Sequence, residues 1–148
     1  MKREYPNQPL VGVGAVVVKD GAVLLVQRGH DPGRGKWAMP GGCLQLGETL
    51  AQAARRKAFE ETGIEIEPGE VLDVSDLIQR DELGRVRYHY VLVDLLARYV
   101  SGEPRAGSDA LDVRWVDHGD LDAYPMAART RRVLELGLVR ARDQTHNT

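Results

Sequence analysis

Between Gly42 and Ile64 the chain reads GCLQLGETLAQAARRKAFEETGI, and this stretch limits the fold more than any other. A helix is predicted over roughly Thr49 to Thr62, with Leu50, Ala53, Ala54, Lys57 and Glu61 at helical spacing on one face and Glu60 at its edge. Gly63 is placed to end it as a left-handed residue, a conformation open to glycine. Glu48 lies just before the helix, where it can accept from free amides of the first turn and suits the positive end of the dipole. The apolar stripe runs straight into ionisable groups. If Leu50 packs inward, Glu60 and Glu61 lie at the rim of the packed region rather than in open solvent. Arg56 is four residues before Glu60 and can pair with it, either holding that carboxylate in place or making an ordinary surface pair.

The flanking segments read as strands. Leu10 to Val18 and Val23 to Gln27 are apolar, β-branched runs joined by Asp20-Gly21, a strong two-residue hairpin signal. Both runs are almost wholly apolar, so central strands covered on both faces are expected. A glycine-rich loop, Gly29 to Gly35, leads through Trp37-Ala38-Met39 to the Pro40-Gly41-Gly42 turn. Further strands are predicted at Val71 to Gln79 and Val86 to Tyr99, around a polar turn at Asp81 to Gly84. After a loop over Gly102 to Ser108 come a short strand, Leu111 to Val116, and a second helix, Met126 to Arg142. Strands, a helix, more strands and a terminal helix imply an α/β fold, a mixed sheet with helices on both faces. The 148 residues suit one domain, with about residues 1–9 and 143–148 as loose ends.

The stretch from Gly42 resembles the signature of the Nudix hydrolases. That pattern is glycine, five residues, Glu, seven residues, then Arg-Glu-apolar-any-Glu-Glu-any-Gly-apolar. Gly42, Glu48, Arg56, Glu60, Glu61, Gly63 and Ile64 fall on their marks. Lys57 stands where the family has a glutamate. The resemblance implies an α/β/α sandwich and a magnesium-dependent pyrophosphohydrolase, with manganese as a substitute. Water would attack one phosphorus of a nucleoside diphosphate derivative, and the overall likeness is closest to small ADP-ribose pyrophosphatase-like members. The enzymatic alternative is a cleaner of oxidised nucleoside triphosphates. A third reading, for which Lys57 argues, is a catalytically silent nucleotide-binding domain.

The resemblance also implies a ligand set. Glu60, Glu61 and the Gly41 carbonyl would hold the metal, with Gly42, Glu48 and Gly63 in supporting roles. Divalent cations of this kind take a few carboxylates and leave positions open for substrate phosphates. A further acid is expected from the loop before the last strand. Asp109, six residues before Trp115, is the first choice, with Asp112 and Glu103 competing. Lys57 precedes Glu60 by three residues and Glu61 by four, so its ammonium can reach the same pocket and pair with Glu61.

Arg28, Arg34 and His30 are candidates for phosphate or ribose contacts. Tyr88 and Tyr90 alternate on one strand face, suited to stacking on a base or to the core, and His89 points the other way as a structural residue. Trp37 is expected to pack under the loop. Arg129, Arg131 and Arg132 read as a solvated helix face. Cys43 lacks a histidine partner nearby in sequence, which argues against a thiol nucleophile. As the sole cysteine it also excludes an internal disulfide and suits a reducing compartment. A net charge of -2 gives no reason to expect a nucleic-acid polymer or an anionic membrane as partner. The N-terminus lacks the apolar core of a signal peptide, so a cytoplasmic protein is expected. The family resemblance admits a homodimer, though no interface is legible.

Overall fold

The computed structural model describes residues 2–107 and 109–146. Its strands are β1 (Leu10–Lys19), β2 (Ala22–Arg28), β3 (Trp37–Ala38), β4 (Gly41–Cys43), β5 (Glu65–Arg80), β6 (Val86–Ser101) and β7 (Ala110–Asp117). Helix α1 covers Leu50–Thr62 and α2 covers Ala128–His146, with a 3-10 helix at His118–Ala123. The sheet is mixed, in the order β3-β2-β1-β6-β5, with β4 paired to β1 and β7 to β2. β1 and β6 run parallel, and their pairing brings Gly14 opposite Asp94.

Local chemistry accounts for the elements. Asp20 and Gly21 both adopt positive φ, 51° and 80°, so the two-residue turn matches the strand twist and sets Lys19 opposite Ala22. Thr49 caps α1: its hydroxyl accepts from the Gln52 amide while the Gln52 side chain accepts from the Thr49 amide. Gly63, at φ 73°, ends the helix with its N–H donating to the Phe59 carbonyl.

The helices cover opposite faces because β1 alternates. Val13, Ala15 and Val17 pack with Ala53, Ala54 and Ala58 of α1, whereas Val16 packs with Val133 and Leu134 of α2. β2 does the same, with Leu24 on the α1 side and Val23 and Leu25 on the other. Trp115 of β7 and Tyr99 of β6 meet edge to face beside the α1 core.

Several sequence expectations change. β5 begins at Glu65 rather than Val71, because irregularities at Pro68 and Val71 let the polar stretch keep its pairing with β6. α2 starts at Ala128, two residues later than expected. The N-terminal segment is tied down rather than loose. The Tyr5 amide donates to the Arg87 carbonyl, the Tyr5 hydroxyl to Asp81, and Arg87 pairs with Glu4. Residues 143–146 continue α2, and residues 147–148 lie outside the described residues.

Candidate active site

A cavity of about 330 Å3 opens on the α2 side of the sheet, beyond the start of that helix. Its floor exists because the even-numbered face of β1 changes from Val16 to Gly14 and Gly12. A methyl group at Gly14 would strike Asp94 and Met39, and one at Gly12 would meet Leu92 at 3.0 Å. From the rim, β4 brings Gly41 and Gly42, and α1 brings Lys57 and Glu61. The end of β2 supplies Arg28, the loop after it His30, and the turn before β7 Asp109.

Glu61 is buried, and one carboxylate oxygen accepts from the Gly41 N–H at 2.8 Å. Burial pushes its pKa up to about 7, while the Gly41 amide, Lys57 and Arg28 pull it down and Asp109 adds to the rise. Folded Glu61 therefore holds its proton to higher pH than the unfolded chain does. That contribution to stability is complete below the ordinary glutamate range and is lost as pH rises through about 7. The gap corresponds to about 3 kcal/mol at most. Glu61→Gln keeps an acceptor for Gly41 without the ionisation, so it should raise the melting temperature at pH 8 and leave it near the parent value at pH 4. Equal differences between variant and parent at the two pH values, followed by thermal melting, would refute this account.

Lys57 is only 8% exposed, its stem lying flat against Gly42, where any side chain would collide with it. Its ammonium lies 3.4 Å from Glu60, so the expected pairing with Glu61 is corrected to Glu60. Glu60 is 42% exposed at its side chain and stays outside the cavity wall. Arg56 is the fixed point of the turn: it donates to both Glu48 oxygens, at 2.6 and 2.9 Å, and to the Cys43 carbonyl at 3.0 Å. It reaches Glu60 only at 3.5 Å, so it holds Glu48 rather than Glu60. Glu48 accepts from Arg56 and the Gln45 amide, and the helix cap expected of it falls to Thr49.

Of the three candidate loop acids, Asp109 alone lines the cavity, while Asp112 pairs with Arg114. Arg34 is exposed and outside the wall. Tyr90 is buried and lines the cavity beside Leu10 and Tyr88. Trp37 packs edge to face on Tyr124. The arginines of α2 are ion-paired rather than simply solvated: Arg129 with Asp94 and Asp73, Arg132 with Asp73, Arg131 with Asp122 and Glu135.

Sequence reasoning missed Arg3, Asp94 and Arg129, all in the cavity wall. Arg3 Nη1 donates to His30 Nε2 at 2.9 Å, which leaves the ring proton on Nδ1, a buried atom with no hydrogen-bond partner among the described residues. Burial and the neighbouring Arg28 and Arg3 lower the His30 pKa, so the ring is neutral near pH 7. Burial raises the Asp94 pKa against the pull of Arg129. The available signal was the alternation of Gly12 and Gly14 inside an apolar strand, which marks a close approach.

The donors do not fit a divalent cation as they stand. No group of three His, Cys, Asp or Glu side chains converges among the described residues. Glu61 and Asp109 share the cavity with the Lys57 ammonium, and Glu60 turns away to Arg56 and Lys57.

The NUDIX domain family matches residues 8–137. An ADP-ribose pyrophosphatase from Methanocaldococcus jannaschii is 33% identical over 113 residues, which are 76% of this chain and 64% of that protein. The chain thus spans just under two thirds of that relative's length. A MutT NUDIX hydrolase structure from Burkholderia pseudomallei is 36% identical with a TM-score of 0.75, over 88% of this chain and 98% of that one. The NUDIX domain of Shewanella oneidensis NrtR, solved in complex with ADP ribose, is 28% identical with a TM-score of 0.72, over 92% and 90%. No helix among the described residues is long and apolar enough to cross a membrane.

Proposed function

The chain belongs to the Nudix family, and from that premise we propose that its cavity takes a nucleoside diphosphate bearing a further group, of which ADP-ribose is the type. The carrying observation is the mixed lining of the cavity. Its wall combines Arg3, Arg28, Lys57, Glu61 and Asp109, which act on one another around Glu61 and His30, with the apolar surfaces of Met39, Trp37 and Leu92. The cations suit phosphates and the apolar surface a nucleoside. In this reading Arg28 and Lys57 neutralise phosphate oxygens, and Glu61 beside Asp109 orients a water toward phosphorus. Hydrolysis releases a nucleoside monophosphate and a phosphorylated remainder.

Magnesium or manganese dependence, as the family implies, sits poorly with Lys57, and we read the hydrolase as attenuated by it. The same lysine favours a second reading, a domain that binds the nucleotide without turning it over. A comparison of kcat/KM for ADP-ribose and a panel of triphosphates, including oxidised purines, tests the substrate class. ADP-ribose should be preferred by about tenfold or more. A preference for any triphosphate would overturn this substrate, and no turnover of any nucleotide with magnesium would leave the silent binder.

A further inference from the structure

We propose that Lys57 stands in for the divalent cation, so that the cavity binds the diphosphate of its nucleotide without metal. The inference rests on the reading of this cavity as a nucleotide site, but not on which nucleoside it accepts.

Lys57 is fixed in the right place. Its stem is buried against Gly42, which holds the residue in the cavity wall instead of letting it swing outward. Its nearest acid, Glu60, is 3.4 Å away and 42% exposed, so this contact is weak and easily exchanged for a phosphate oxygen.

The local charge points the same way. Of the lining groups that act on Glu61 and His30, together with Glu61 itself, three are cations, Arg3, Arg28 and Lys57, and two are carboxylates, Glu61 and Asp109. Lys57, Arg28 and Asp109 all act on Glu61 and on His30, which places them within one electrostatic neighbourhood. The lining keeps one cation over with both carboxylates ionised, an excess that Glu60 offsets from outside the wall until Lys57 exchanges it for a phosphate oxygen. With glutamate at position 57, two cations would face three carboxylates, and a diphosphate could enter only with added positive charge. One substitution thus reverses the sign of the site.

Donors for the phosphate oxygens are also at hand. Arg28 spends its Nε on the Pro32 carbonyl, at 2.7 Å, and no hydrogen bond or ion pair engages its terminal nitrogens among the described residues. His30 Nδ1 is a buried donor with no partner among the described residues. Phosphate oxygens accept such donors directly, and a cavity that satisfies a diphosphate with N–H groups has no need of a metal to bridge it.

Calorimetric titration of the full chain with ADP-ribose, and separately with inorganic pyrophosphate, in EDTA and in excess magnesium, decides the matter. Each probe that binds should bind the parent in EDTA with an affinity within about threefold of that in magnesium. Lys57→Met preserves the packed stem and should weaken binding in EDTA by about tenfold or more. Lys57→Glu should weaken it at least as much in EDTA and recover in magnesium. Parent binding that requires magnesium, or Lys57→Met binding as tightly as the parent in EDTA, would overturn the proposal. So would failure of both probes to bind the folded parent. If pyrophosphate behaves as expected and ADP-ribose does not bind, the substrate reading fails while the role of Lys57 stands. Thermal melting of each variant separates a lost contact from a lost fold.

Discussion

Lys57→Glu should raise magnesium-supported hydrolysis of ADP-ribose by about a hundredfold or more over the parent. The substitution changes the local charge by two units and places a third carboxylate beside Glu61 and Asp109 in the cavity. At an effective dielectric of about 20, unit charges roughly 4 Å apart interact by about 4 kcal/mol, an upper guide for a partly wet site. Even half of that changes metal occupancy more than tenfold. An outward-turned lysine would make the exchange neutral, but Lys57 is packed in the wall at 8% exposure. The variant should also be destabilised without metal, because the introduced carboxylate would adjoin Glu60 and Glu61, and magnesium should raise its melting temperature while leaving the parent's unchanged. Side-by-side measurement of magnesium affinity, kcat and melting temperature tests the set. Equal metal affinity and equal kcat in the two proteins would sink it.

Arg129→Met is the change expected to cost most in stability. Asp94 is 4% exposed, and Arg129 is its ion-pair partner among the described residues. Removing one member of a buried pair leaves an uncompensated charge, a loss of about 3 to 5 kcal/mol, or about 10 °C in melting temperature for a chain of this length. Burial already raises the Asp94 pKa and Arg129 restrains it. Without the guanidinium the folded-state value rises further above the unfolded one, so stability is retained at low pH and lost as pH climbs. The penalty should therefore be larger at pH 8 than at pH 4. Arg132→Met, which removes an exposed partner of Asp73 only, serves as the mild control and should cost about 1 kcal/mol or less. A penalty for Arg129→Met no larger than that control, or one that grows on acidification, would contradict the role given to the pair.

What could be read in the sequence was local. The Asp20-Gly21 turn, the α1 boundaries at Thr49 and Gly63, and the shared face of Lys57 and Glu61 all follow from residues close in the chain, where period and turn chemistry apply. Asp109 was the first choice through the family resemblance, which implies an acid in the loop before the last strand. The cavity residues that were missed share a cause, since each depends on a partner far along the chain. Arg129 meets Asp94 across 35 positions, and Arg3 meets His30 across 27. No periodicity signals such pairs. Arg56 shows a subtler limit: helical spacing puts Glu60 within reach, yet the Gly42–Glu48 turn folds back and offers a better acceptor in Glu48. The docking of residues 2–9 escaped notice because polar side chains make it, through Glu4 and Tyr5, without an apolar pattern.

The floor of the cavity is also a ruler. Along β1, only alternate residues face it, so its length can change only in steps of two residues, about 6.6 Å each. The present length is set by where the valines of that face stop, at Val16, and the glycines begin, at Gly14. A valine at position 14 would cut off the end nearest Asp94, whereas removing bulk at position 16 would hollow out the seat of α2 through its contacts with Val133 and Leu134. The boundary between binding space and helix support is therefore one strand position wide, and a relative with a longer or shorter ligand would have to shift it by whole pleats.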